Sequence, residues 1–86
     1  MSYTKQIIAD LQQQMNEVEE TYRAARIEWD KARKRQHELL DTDPYSIECA
    51  DACADVRILF NLMMKQDEKS TALFGAIRAI KKEYSL

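Results

Sequence analysis

The sequence predicts an all-α fold: an antiparallel hairpin of two long helices with coiled-coil-like packing, two such hairpins dimerising into a four-helix bundle. Three observations predict it. Residues 1–39 carry an unbroken heptad repeat, and a narrow apolar seam of that length demands a partner helix along it. The chain of 86 residues holds one glycine and one proline, too little turn material for a sheet or for many reversals. That proline stands near the middle, in Asp41-Thr42-Asp43-Pro44, where its ring disfavours helical geometry at the preceding residue.

The whole chain, 1–86, reads as one helical domain. Helix 1 is expected from about residue 3 to 40, opening near Ser2 or Thr4, whose hydroxyls suit the first free backbone N–H groups. Its a row is Met1, Ile8, Met15, Tyr22, Trp29 and Gln36, and its d row is Thr4, Leu11, Val18, Ala25, Ala32 and Leu39. Aromatic residues at this spacing are read as core, so Tyr22 and Trp29 belong to the seam. The turn is placed at 41–44, with Asp43 as N-cap and Pro44 as first residue of helix 2. Helix 2 is expected over about 45–84, with Lys81 and Lys82 near its end, where positive charge suits the dipole. The polar stretch 65–71 opens one alternative, a three-helix bundle with a break near 66–70.

A pivot at 41–44 sets a register. It places the basic run 31–37 beside 48–54, so that Lys31, Arg33, Lys34, Arg35 and His37 meet Glu48, Asp51 and Asp55. It also sets Ala25 near Phe60, Ala32 near Cys53, Leu11 near Phe74 and Ile8 near Ile77, small residues facing large ones. The same register brings Val18 to Asp67 and Met15 to Ser70, a mismatch that predicts an opened seam or a partner there.

Helix 2 carries more apolar surface than helix 1 covers. Its seam is read as Cys49, Cys53, Val56, Phe60, Met63, Phe74 and Ile77, flanked by Ala52, Leu59, Leu73 and Ile80, and residues 58–64 are apolar on nearly every side. Exposing even two Leu- or Phe-sized side chains forgoes roughly 3 to 6 kcal/mol of burial. Association is therefore expected, as a homo-oligomer with a dimer favoured or with a different protein, through Ile58, Leu59, Leu62, Met63, Met64, Leu73 and Ile80. Arg57 and Lys65 stand at the rim, orienting a partner more than holding it. Met64 is the residue best placed for an adaptable contact.

Other constellations are weaker. Cys49, Cys53 and His37 have the donor types of a zinc site, but a lone Cys-x-x-x-Cys on a predicted seam reads as packing, so no metal or other cofactor is expected. Arg23, Arg26, Arg33 and Lys34 share one broad face that a phosphate backbone would suit. The acidic net charge of -2 and the lack of interleaved aromatic residues make nucleic acid the lesser alternative. No nucleophile, base and orienting group come together, so the chain is not read as an enzyme. No stretch is long and apolar enough to span a bilayer, no signal peptide is expected from the opening residues, and the two cysteines suit free thiols in the cytoplasm.

With its single turn at Asp41-Thr42-Asp43-Pro44, the layout resembles in outline the needle subunits and small helical chaperones of bacterial type III secretion. Needle subunits place paired prolines at the turn, whereas this chain has Pro44 alone, and no residue is carried over. Small phage or accessory regulators share the outline. The function expected is a non-enzymatic protein-interaction module, an adaptor, chaperone or inhibitor of bacterial or phage accessory type. The alternatives are a nucleic-acid-binding regulator and a self-polymerising structural subunit of a secretion-type assembly.

Overall fold

The structure, a computed structural model, describes residues 3–84. Two helices account for nearly all of them: α1, Tyr3–Thr42, and α2, Ile47–Glu83. They lie against one another as an extended hairpin, 62 × 15 × 14 Å in its Cα extents. The Cα radius of gyration is 18.9 Å, against about 12 Å for a compact globule of this length. A rod this thin has no interior beyond the seam between its helices.

In α1 the buried and half-buried side chains are the described a and d residues, from Thr4 to Leu39, together with Ile7. Thr4 lies inside α1, and Met1 and Ser2, with Ser2 one of the two expected caps, lie outside the described residues. At its other end α1 runs two residues past the expected stop, and the Asp43 N–H still donates to the Leu39 carbonyl at 2.7 Å.

The reversal occupies 43–46. Asp43 and Pro44 are at the first two positions of a turn in which the Ser46 N–H donates to the Asp43 carbonyl at 3.3 Å. The N-cap of α2 is Ser46 and not Asp43: its hydroxyl accepts from the Cys49 N–H at 3.0 Å. Pro44 is therefore a turn residue instead of the first residue of the helix. Glu48 sits in the first turn of α2 and Lys81 and Lys82 in the last, each complementing the helix dipole. The helix continues unbroken through 65–71, so the three-helix alternative is excluded. Gln, Glu and Lys are good helix formers, and the Thr71 hydroxyl is absorbed by the Asp67 carbonyl one turn back at 3.1 Å.

Moving the pivot toward 46 shifts the register by one helical turn. Gln36, not Ala32, meets Cys53, its amide donating to Sγ at 3.3 Å. The row of α2 turned to the seam is Cys49, Ala52, Val56, Leu59, Met63, Gln66, Ser70, Leu73, Ile77 and Ile80, a regular three-four spacing. Phe60 and Phe74, expected in the seam, are instead exposed, and Leu59 and Leu73 replace them. The physical reason is that the heptad of α2 passes straight through Gln66 and Ser70. Choosing the most apolar residue at each turn abandons that spacing.

The expected charge pairing across the hairpin does not form. The ion pairs among the described residues are Arg23 with Glu19 at 4.0 Å and Lys31 with Glu28 at 3.3 Å, both within α1 and both exposed. The one-turn shift sets 31–37 beside about 52–58, past Glu48 and Asp51, and the charged side chains of both stretches are exposed outside the seam. Arg33 lies over the Trp29 ring, 5.1 Å from its centroid.

Candidate interaction surface

The seam is uneven, and its weak point lies at the layer where α2 supplies Gln66 and Ser70. Two grooves open there, one of about 540 Å³ lined by Gln14, Glu17, Thr21, Lys69 and Ala72, the other of about 200 Å³ lined by Glu19, Tyr22, Arg23, Asp67 and Ser70. Val18 and Gln66 wall both. The grooves are thus the two sides of one underfilled layer, as a small hydroxyl facing a valine would leave. The mismatch is expected where Val18 meets Asp67 and Met15 meets Ser70; an opening is present beside Val18, with Ser70 half-buried toward the seam and Asp67 exposed at the rim.

These grooves also identify the two long flanks of the rod. One carries Glu19, Arg23 and Asp67; the other carries Gln14, Thr21, Lys69 and Ala72. Residues seven apart on a helix share a flank, because two turns nearly restore the starting direction. Phe60 and Phe74 lie seven residues either side of Asp67, and Arg26 and Arg33 continue the row from Glu19. Arg57, Met64 and Arg78 stand beside that row on α2. This flank therefore gathers five of the six arginines with Phe60, Met64 and Phe74, which are 45%, 38% and 57% exposed. Lys34 falls just outside it, on the back of α1.

The residues singled out for association divide accordingly. Met63 is buried in the seam at 5% exposure, and Leu59, Leu73 and Ile80 are half-buried along it. Met64 lies on the arginine flank, whereas Ile58 and Leu62, 62% and 36% exposed, lie on the opposite one. The apolar stretch 58–64 is consequently two surfaces and not one. Phe60 and Phe74 join the candidate set from the structure; their signal in the sequence was the seven-residue spacing from Asp67. A third exposed group, Leu40, Tyr45 and Ile47, clusters around the turn in the chain.

Cys49 and Cys53 are free thiols, the first buried and the second half-buried. Burial, and then the neighbouring Cys53, push the Cys49 thiol above its ordinary range. His37 is exposed on α1, and no metal-holding cluster of His, Cys, Asp and Glu forms among the described residues. No helix there is long and apolar enough to cross a membrane. The Trp29 indole N–H is buried without a hydrogen-bond partner.

Comparison with protein-family models, with curated proteins and with solved structures finds no match to this chain.

Proposed function

We propose that the protein is a non-enzymatic interaction module that docks an acidic, apolar-faced protein segment along its arginine flank. The observation that carries this reading is the sorting of side chains: Phe60, Met64 and Phe74 are exposed beside Arg26, Arg57 and Arg78 on one side of the rod. Arginine is among the residue types that dominate binding energy at protein interfaces, and phenylalanine and methionine are enriched there. The arginines suit carboxylates through bidentate contacts, while the phenylalanines supply apolar area. A small adaptor, chaperone or inhibitor would need no more than such a flank on a stiff rod. The free thiols of Cys49 and Cys53 support a reducing, cytoplasmic setting.

The same flank supports a second reading. Arg23, Arg26 and Arg33 of α1 run alongside Phe60 and Phe74 of α2, so aromatic faces and basic groups do share one surface, as single-stranded nucleic acid would require. The overall acidity of the chain weighs against it.

Comparative capture from the producing cells tests the first reading, using the wild type and a Phe60→Glu, Phe74→Glu double variant. Both aromatic rings are exposed, so helical content should be unchanged while the wild-type partner is lost. An identical set of partners with both proteins would overturn it. Titration of labelled single-stranded DNA at rising salt tests the second: binding that weakens steeply with salt and disappears in Arg26→Glu, Arg33→Glu would replace a protein partner with a nucleic acid.

A further inference from the structure

The flank opposite the arginines carries a pattern of its own. Asp51, Asp55, Ile58, Leu62, Lys65 and Lys69 follow one another at the spacing of a second heptad stripe, four and three residues apart in turn, and all six are exposed. The two acids stand one turn apart at one end, the two lysines one turn apart at the other, and the apolar pair lies between. Like charges at this separation on a helix repel. None of these four charges has an ion-pair partner among the described residues, so the repulsion is unrelieved within the hairpin.

We infer that a second copy of this chain docks antiparallel on this stripe of α2, about a two-fold axis midway between Ile58 and Leu62. Antiparallel helices pair the two rows of a stripe crosswise. Asp51 then meets the partner's Lys69, Asp55 meets the partner's Lys65, and Ile58 meets the partner's Leu62. Two-fold symmetry makes each contact twice. Every charge on the stripe gains an opposite one, and both like-charge repulsions are offset in one step. The same docking brings the partner's acidic end over the groove of about 540 Å³ that Lys69 and Ala72 border. With α1 of each copy on the outside, the assembly is a four-helix bundle whose overlap, residues 48–72 of each α2, is roughly 36 Å long at about 1.5 Å per residue.

The arginine flank does not suit a second copy as well. Its five arginines outnumber Glu19, Asp30 and Asp67, so two such flanks brought together repel. The two surfaces divide the work: one for self-association and one for a partner of opposite charge. The dimer does not depend on the partner reading above.

Light scattering coupled to size exclusion on the full chain tests the dimer with two reciprocal variants, Asp51→Lys, Asp55→Lys and Lys65→Glu, Lys69→Glu. The wild type is expected at dimer mass. Each variant makes its stripe single-signed and is expected at monomer mass with unchanged helical content, a rise in dissociation constant on the order of a hundredfold or more, since juxtaposed like charges cost several kcal/mol. Mixing the two variants in equal amounts is expected to restore dimer mass, because the basic stripe then faces the acidic one. A wild type that stays monomeric as concentration rises, a variant that keeps dimer mass, or a mixture that stays monomeric would each overturn the inference. A monomeric wild type that still loses its partner on Phe60→Glu, Phe74→Glu would do so while leaving the proposed function intact.

Discussion

The two helices share one seam but differ in what they place outside it. Beyond its seam row α1 exposes polar and charged residues, with Tyr3, Ile27 and Leu40 as isolated large apolar exceptions, whereas α2 exposes Ile58, Phe60, Leu62, Met64 and Phe74 within four turns of its middle. One helix has what a hairpin needs. The other has that and a surplus, arranged on two flanks with opposite charge character. In so thin a rod the fold is held by one narrow row from each helix, and the rest of α2 is free for contact.

The sharpest way to break that division is to remove matter from each side of it. Trp29→Ala empties the largest side chain of the seam and is expected to cost about 3 to 5 kcal/mol, a large part of what a domain of this size has. Phe60→Ala and Phe74→Ala delete rings of similar bulk from the flank and are expected to change stability by about 0.5 kcal/mol or less when the chain is dilute. Urea denaturation of the three variants checks this. A Phe60 cost as large as that of Trp29 would place Phe60 in the core after all.

A smaller effect sharpens the account of the weak layer. Gln66 is buried at 7% exposure between the two grooves, and no side-chain hydrogen bond is found for its amide among the described residues. Gln66→Leu is expected to stabilise the hairpin by about 1 kcal/mol, because an alkyl side chain gains more from burial in the seam than an amide whose polar atoms reach solvent through the grooves. A polar residue in a coiled-coil core often fixes register, so the same variant should lose some uniqueness of pairing. Thermal melting reads the first effect, and cross-linking through cysteines placed at positions 19 and 67, on the two helices at the rim of the same groove, reads the second.

The smallest effect is on pH. Burial raises the Cys49 thiol above its ordinary value of 9.0, so the folded protein holds that proton after the unfolded chain has released it. Stability is therefore full below that value and declines as pH climbs past it. Denaturation curves on either side of it should show the decline in the wild type and a flatter profile in Cys49→Ala.

Much of this fold was legible in the sequence because α1 keeps its heptad without a break and its seam residues are mostly apolar. The row from Thr4 to Leu39 is the one the structure buries. α2 was legible in length and continuity but not in phase. Its true row includes Gln66 and Ser70, which apolar choice passes over, and Phe60 and Phe74 lie one residue beyond Leu59 and Leu73, so the more conspicuous ring captured the reading at both places. The turn was misplaced for a related reason. Asp43 and Ser46 are both competent caps, and the choice between them depends on how far α1 runs before Pro44 stops it. Those two displacements together produced the one-turn slip. Of the candidate surface, the sequence located the surplus on α2 but treated it as one patch, since which neighbours share a flank follows only from the phase of the seam.

Leu62 and Met63 are adjacent in the chain and lie on opposite sides of that division, one on the self-complementary flank and one buried in the seam. The most direct test measures helical content by circular dichroism and mass by light scattering on Leu62→Asp and Met63→Asp. The account predicts that Leu62→Asp keeps the helices and falls from dimer to monomer, while Met63→Asp loses the helices themselves because a carboxylate cannot be buried there unpaired. Two variants that behave alike, both folded and assembled or both unfolded, would contradict it.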